Sequence, residues 1–270
     1  MRALLGSAHP REVMPVGKEA ALKALAIDDG VGDGHFALAT VLDLYEWNWA
    51  EAEREYRIAL ELNPGDAQAR SLYADLLGRL GRADAAVAES RHAVERDPLS
   101  PFSRNYLALK YSHARRFHAA IAEAHANIEL EPTYHPFHWV LGWSLAGLGR
   151  QEEAVAALRE AMTLAPDDLM APATLCWSLG VTEHRPEALT ILRDLERRQA
   201  RQHVSGYWMA IVHLGLGDRE QAISWLEQAA KARDVLLPYI NVVFYFNDLR
   251  SNPRFQALLS KMNFPQQADS

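Results

Sequence analysis

Two kinds of side chain in this 270-residue chain could take part in chemistry: a histidine with nearby carboxylates, and a set of tryptophans. A histidine beside an acid can transfer protons, and tryptophan rings can stack on a sugar ring. His113 and Asp75 form the candidate acid–base pair, and Asp43 is the one further acid available to them. These residues define an alternative hypothesis only, a helical-repeat hydrolase with a carbohydrate as its candidate substrate and with Asp75 and His113 as its catalytic residues. Glycoside hydrolysis needs two carboxylates that face each other across a cleft. Whether this chain could catalyse it therefore depends on where the secondary-structure elements place Asp75 and Asp43.

Motifs for other reactions do not occur in the sequence. It contains no GxxxxGK[ST], HExxH, GxSxG or CxxC pattern. Cys176 is the single cysteine, which excludes an intrachain disulfide, and we interpret it as a packed thiol. His135 and His138 share a helical face at i and i+3, but two histidines without a third ligand are a weak zinc signal. We therefore predict neither a metal nor a cofactor.

The charge and the hydropathy of the chain argue against nucleic acid and membranes as its partners. The formal net charge is −7 and the pI is near 5.9, and acids alternate with bases along the chain, as in residues 51–55. Binding to nucleic acid needs clustered lysine and arginine, so we exclude it as the main function. No apolar run reaches transmembrane length, and the apolar stretch in residues 1–8 is too short for a secretory signal. We expect a cytoplasmic protein that does not bind membranes.

The elements that must position these side chains repeat along the sequence. Prolines that follow stretches of helical periodicity occur 34 residues apart, at Pro64, Pro98, Pro132 and Pro166. Proline cannot continue a helix, and it restricts the residue before it, so each of these positions predicts a helix end. A fixed period of this length indicates a solenoid, in which one supersecondary unit stacks on copies of itself.

Aligning the units on their prolines, at position 32 of each unit, brings small residues into columns. Position 20 holds Ala52, Ala86, Ala120, Ala154 and Ala188. Position 8 holds Ala74, Ala108, Gly142, Cys176 and Ala210. Small side chains at both positions let two antiparallel helices approach closely, since a larger one would overpack their interface. Glycines mark the turn between the two helices, at Gly81, Gly149 and Gly217.

This pattern resembles the tetratricopeptide repeat (TPR). The resemblance implies an all-α fold, a right-handed superhelical solenoid of antiparallel helix hairpins. We expect an N-terminal segment over 1–31 with an incomplete repeat helix, then six TPR-like units over 32–232, then a C-terminal cap and tail over 235–270. The units are expected at about 32–66, 67–100, 101–134, 135–168, 169–202 and 203–234. In the first unit, residues 45–49 replace the glycine turn and add one residue.

Two short stretches narrow the resemblance. Residues 47–56 and 249–259 resemble the helical C-terminal regions of bacterial multidomain transcriptional regulators and kinases. In those proteins the repeats follow a winged-helix, protein-kinase or nucleotide-cyclase domain and act as a sensing or scaffolding part. No such effector domain is present in these 270 residues.

In TPR proteins the first helix of each unit lines a concave groove, and the resemblance places several aromatic and polar side chains there. The expected ligand-binding residues are Trp139, Trp143, Trp177, Phe102, Asn105, Arg79 and Tyr207. They imply a non-catalytic scaffold that binds a protein or peptide in an aromatic groove, with Trp143 and Trp177 as neighbours. If the groove is open, the rings of Trp139, Trp143 and Trp177 are expected to be partly exposed. An alternative stays open, because the aromatic stretch over 239–246 would fill the groove if it folded back, and the tryptophans would then be core residues.

Overall fold

The helical prediction can be compared element by element with a computed structural model, which describes residues 9–199 and 202–264. The helices are α1 (Pro10–Ile27), α2 (Gly32–Val41), α3 (Trp49–Leu62), α4 (Ala67–Arg79), α5 (Ala83–Arg96), α6 (Pro101–His113), α7 (Phe117–Leu130), α8 (His135–Gly147), α9 (Gln151–Leu164), α10 (Met170–Gly180), α11 (Arg185–Gln199), α12 (Gly206–Gly215), α13 (Arg219–Ala232) and α14 (Pro253–Lys261). Strands are absent from the described ranges. The predicted all-α solenoid is confirmed.

The helix ends follow from local sequence. Helices α3, α5, α7 and α9 each end two residues before a proline of the 34-residue series. At the next helix start a side chain often accepts a backbone N–H: Asp66 caps α4 at Ala69 N (2.9 Å), and Ser100 caps α6. Hairpins were predicted over 67–96, 101–130, 135–164, 169–198 and 204–232, and the observed helices α4–α13 begin and end within two residues of those bounds.

Four of the five hairpins formed by α4–α13 have a left-handed residue in the turn between their two helices. Gly81, Gly149 and Gly217 have φ values of 81°, 83° and 78°, a region that glycine enters without steric cost. In the hairpin of α6 and α7 the same place is taken by Arg115, at φ 57°. A non-glycine residue in this conformation costs about 1–2 kcal/mol, which the packing of the two helices must offset.

The first unit departs from the others as its sequence predicts. Residues Leu42–Glu46 form a π-helical turn at the end of α2, and Trp47 follows in the left-handed conformation, at φ 60°. A π turn holds one residue more than an α turn, which explains the extra residue in the alignment. Before this unit, α1 (Pro10–Ile27) is a helix of 18 residues within the segment where an incomplete repeat helix is expected.

Small residues let the two helices of each hairpin approach closely. Ala74, Ala86, Ala120 and Ala154 are all buried. A Cβ added to Gly142 of α8 would lie 2.5 Å from Leu158 Cγ of α9, so only glycine fits at that position without a shift. The first helices of successive units then pack side by side in the order α4, α6, α8, α10 and α12. These five helices form the concave layer.

The chain after α13 does not act only as an end cap. Residues 237–249, which we call the C-terminal segment, form two 3₁₀ turns (Leu237–Asn241 and Phe244–Leu249) that return to the concave layer and contact α4 and α12. Both the first of these turns and α14, which follows the segment, contact α13. Beyond α14, Trp49 of the first unit donates a hydrogen bond to Met262 O (2.9 Å) and stacks on Phe264, so the two ends of the solenoid meet.

Candidate functional site

The C-terminal segment is held on the concave face by polar contacts at one end and by aromatic packing at the other. Tyr239 donates its hydroxyl proton to Asp75 of α4, and Asn241 donates to Arg79 O at 2.8 Å. Further along, the rings of Phe244 and Tyr245 lie within 4.6–6.4 Å of the rings of two tryptophans of the concave layer, Trp143 and Trp177. The segment therefore occupies the part of the groove to which these two tryptophans point.

The tryptophans are covered more completely than an open groove would allow. Trp139 is 4% exposed and Trp143 is 3% exposed, so neither has the partly exposed ring that is expected for an open groove. Each packs edge-to-face on the other at 4.6 Å, and the C-terminal segment and neighbouring helices close over them. Trp177 keeps partial exposure. The rings of Phe244 and Tyr245 each contact both Trp143 and Trp177, so they link the two tryptophans.

A buried ionic cluster lies beside the segment. Arg79 is fully buried and donates to Asp75 Oδ2 at 2.6 Å and to both carboxylate oxygens of Asp43. Lys110, also buried, donates to the other oxygen of Asp75. The guanidinium carbon of Arg79 lies 4.8 Å from the centre of the Tyr239 ring. Two acids and two bases thus balance in the interior, which is the arrangement that makes buried charge tolerable.

Burial perturbs the titration of this cluster in ways that follow its contacts. Burial raises the pKa of Asp43, and the neighbouring Arg79 guanidinium opposes that rise. Burial lowers the pKa of Lys110 to about 7, which the Asp43 carboxylate opposes. The pKa of His113 falls well below its usual 6.5, because burial and the positive charges of Lys110 and Arg79 all disfavour the imidazolium. His113 is therefore neutral at neutral pH.

The candidate catalytic pair, Asp75 and His113, is separated by a lysine. Lys110 Nζ contacts Asp75 and lies 3.4 Å from His113 Nδ1. The carboxylate of Asp75 already accepts from Arg79, Lys110 and Tyr239. Asp43, the other acid, is bound by the same arginine. These carboxylates serve as counter-ions for buried cations, and this arrangement gives no support to acid–base catalysis.

The remaining reactive side chains also have local partners. Cys176 is buried and donates to Ala188 O at 3.2 Å, and burial raises the pKa of its thiol to about 12. His138 Nε2 lies 2.7 Å from Pro132 O. Across the described ranges, no three histidine, cysteine, aspartate or glutamate side chains come close enough together to hold a metal ion.

One part of the concave face stays open, as a cavity of about 210 Å³ beside the C-terminal segment. Five of the seven residues predicted as ligand-binding line it: Phe102, Asn105, Trp139, Trp143 and Tyr207. Its remaining walls come from α6, α8, α10, α12 and the chain near the segment, through Tyr106, Leu109, His113, Tyr134, Pro136, Met170, Trp208, Leu236 and Tyr239. The rim is partly exposed at Phe102, Tyr106, Tyr134, Met170 and Leu236. The cavity is lined mainly by aromatic side chains and opens to solvent beside these partly exposed residues.

Comparison with protein families identifies the repeats. Three stretches match tetratricopeptide repeat families: residues 44–101, 135–168 and 198–228. The chain contains tetratricopeptide repeats. The second match coincides with α8 and α9, the TPR hairpin that carries Trp139 and Trp143. No curated protein sequence matches the chain significantly.

Solved structures with the same fold are distant in sequence. A tetratricopeptide repeat protein from Parabacteroides merdae is 13% identical, with a TM-score of 0.61 over 94% of this chain and 93% of that one. A thermophilic TPR protein from Thermus thermophilus is 18% identical, with a TM-score of 0.51 over 73% and 97% of the two chains. Pseudomonas aeruginosa pilF is 16% identical, with a TM-score of 0.51 over 85% and 98%. At these identities the likeness establishes the TPR fold alone.

Several residues at the site were not predicted from sequence. Lys110 lies next to a groove position of the TPR pattern rather than on one, and Leu236 lies in the chain after α13, just before the aromatic stretch 239–246. A lysine inside the apolar stretch 107–111 of a helix that packs on both sides is a signal that could have indicated a buried ion pair. Separately, within the ranges that the structure describes, no helix is both long and apolar enough to cross a membrane.

Proposed function

We propose that this chain is a non-catalytic TPR scaffold, which binds a protein partner by taking one aromatic side chain of that partner into the concave cavity. The observation that carries the proposal is the cavity itself, whose walls bring together most of the aromatic residues that the repeat pattern marks as ligand-binding. Aromatic anchors that fill enclosed pockets dominate the free energy of protein association. A volume of about 210 Å³ suits one side chain better than a longer stretch of peptide.

The position of the C-terminal segment favours binding of one side chain in the cavity over binding of a long peptide along the whole concave groove. It lies against α4 and α12 and covers Trp143, so a partner has the rim of the cavity rather than the whole concave face to contact. The rim residues are half-buried and apolar or aromatic, with Phe102 and Met170 on different helices. Partial exposure of apolar side chains around an enclosed site is typical of a surface that binds another protein.

The experiment is a selection of random displayed peptides on the wild-type protein, followed by affinity measurements on a variant whose cavity is filled. Leu109→Trp adds bulk inside the cavity, because Leu109 lines it. We expect the selected peptides to contain an aromatic residue and to bind Leu109→Trp at least about tenfold more weakly than wild type, since tenfold corresponds to about 1.4 kcal/mol of anchoring free energy.

Leu130→Trp is the matched control. Leu130 is 62% exposed at the end of α7, so the same substitution adds the same bulk outside the cavity. Circular dichroism checks that both variants keep their helical content. Equal affinity of the peptides for wild type and both variants would contradict binding in the cavity, as would a selection without aromatic enrichment.

The likeness of residues 47–56 and 249–259 to the C-terminal regions of bacterial multidomain regulators stays a prediction. It would make the scaffold the sensing part of such a regulator. Both stretches lie near the place where the two ends of the solenoid meet, at Trp49 and Met262. A partner bound at the cavity would then act close to the C-terminal segment that joins this meeting point to the concave face.

A further inference from the structure

A second cavity, of about 440 Å³, lies where the turns of two hairpins meet the C-terminal segment. Its walls include Gly81 of the turn between α4 and α5, Ala83 at the start of α5, and Arg115 of the turn between α6 and α7. The segment supplies Asn241, and Arg250 follows directly after the segment. Neither arginine lines the aromatic cavity. This second cavity therefore brings two cationic side chains to the start of a helix.

The two arginines of this cavity are not paired with acids. Within the ranges that the structure describes, neither Arg115 nor Arg250 forms an ion pair, and the acids close to the cavity along the chain, Asp84 and Asp248, are each bound by a different arginine. Burial and the positive charge of Arg115 both lower the pKa of Arg250, so the two guanidinium groups lie near each other. In a chain of net charge −7, this is a local excess of positive charge.

Both guanidinium groups keep N–H donors that a ligand can reach. Arg115 is exposed, and its Nη2 donates to Asn247 Oδ1 at 2.9 Å. Arg250 is half-buried, and its Nη2 donates to Asn241 O. The Nε and Nη1 atoms of Arg250 have no partner among the described residues, and neither atom is shielded from solvent. The two asparagines therefore hold the arginines in place and leave donors for a ligand, as a preformed site requires.

We propose that this cavity binds a phosphate group between Arg115 and Arg250. The two guanidinium groups supply two positive charges, and a phosphate group carries about −1.5 to −2 near neutral pH. Each planar guanidinium can donate two parallel hydrogen bonds, and a phosphate has enough oxygens to accept from both arginines. A carboxylate has a single charge and two oxygens, which one arginine satisfies.

Helix α5 adds to the attraction for an anion. Its first residue, Ala83, lines the cavity, and Arg82 before it makes no side-chain capping bond to the free N–H groups of the first turn. These N–H groups carry the positive end of the helix dipole, which stabilises a bound phosphate. The helix start thus acts together with the two arginines.

The experiment measures the binding of inorganic phosphate and of acetate by isothermal titration calorimetry, in a buffer free of phosphate and sulfate. We expect wild type to bind phosphate at least about tenfold more tightly than acetate. Arg115→Gln and Arg250→Gln each remove one of the two charges, so each should weaken phosphate binding at least about tenfold. Circular dichroism checks that both variants keep their helical content. If Arg250→Gln loses helical content, Arg115→Gln decides, because Arg115 is exposed.

Arg96→Gln is the matched control, because it removes the same charge elsewhere. Arg96 is exposed in the last turn of α5, roughly 20 Å along the helix from Ala83. Its affinity for phosphate should stay within about twofold of wild type. A wild type that does not bind phosphate would overturn the proposal, as would equal losses in Arg96→Gln and Arg115→Gln. Equal affinity of wild type for acetate and phosphate would overturn the assignment to phosphate.

A second probe distinguishes a phosphorylated side chain of a partner from free phosphate. The probe is phosphoserine with both its amino and carboxyl groups blocked. Affinity at least equal to that of inorganic phosphate would assign the site to a phosphorylated side chain, and affinity at least about tenfold weaker would assign it to free phosphate. The site is independent of the aromatic cavity, so Leu109→Trp, which fills that cavity, should bind phosphate as wild type does.

Discussion

Replacing Arg79 by leucine is expected to lower the free energy of unfolding by about 3–5 kcal/mol, as measured by urea denaturation followed by circular dichroism. Arg79 is fully buried and contacts the carboxylates of Asp43 and Asp75. Without it, Asp43 loses its bound cation and Asp75 keeps only Lys110, so a buried negative charge remains uncompensated. Breaking one side of a buried pair is costly for this reason, even where the intact pair contributes little net stability.

Arg150→Leu is the matched control for this substitution. Arg150 pairs with Glu153 on the surface, where water and salt screen the pair, so the exchange should leave the free energy of unfolding nearly unchanged. A double variant in which Asp43→Asn accompanies Arg79→Leu should recover part of the loss, because it removes the carboxylate that is left without a cation. A loss in Arg79→Leu as small as that of the control would show that the cluster is hydrated rather than buried.

Trp143→Ala is expected to cost about 3–5 kcal/mol of folding stability, the range for a large aromatic residue removed from a core. The ring is 3% exposed and lies against His113, Trp139 and Tyr245 at centroid distances of 4.6–5.7 Å. Chemical denaturation measures the loss directly. Truncation to alanine at an exposed site, Leu99→Ala, should change stability by about 0.5 kcal/mol or less, since Leu99 is 86% exposed.

A different pair of results would show that the Trp143 ring is exposed in solution. A stability loss of less than about 1 kcal/mol in Trp143→Ala, together with wild-type tryptophan fluorescence that a soluble quencher reduces strongly, would mean that the ring is exposed in solution. The concave face would then be open, and the C-terminal segment would lie elsewhere.

Local signals in the sequence were sufficient to predict the repeats. The four prolines that follow α3, α5, α7 and α9 and the three turn glycines act within a few residues, so their effect on the backbone does not depend on the rest of the fold. The same holds for the first unit, where one extra residue in the alignment corresponds to the π turn at Leu42–Glu46. The left-handed conformation of Arg115 could not be predicted in this way, because its side chain carries no preference for that backbone.

The site was predicted only in part, because its geometry depends on contacts between distant parts of the chain. The columns of the repeat gave five residues of the cavity wall, since neighbouring first helices must bring those positions together. The course of the C-terminal segment was left open, as its aromatic residues suit a cap and a groove equally well. Asp43 and Lys110 are far apart in the sequence and meet only through Arg79 and Asp75, an association that no pattern within one unit reveals.

Hydrogen exchange of the wild-type protein tests most directly whether the C-terminal segment permanently occupies the concave face. In that case the amides of Val243 and Phe246, which donate to Tyr239 O (3.0 Å) and Val243 O (3.3 Å), exchange only when the whole chain unfolds, at the same free energy as amides in α6 and α8. Exchange of these two amides within seconds, while the amides of α6 and α8 stay protected, would contradict permanent occupation of the concave face by the C-terminal segment. The segment would then leave the groove in the folded protein.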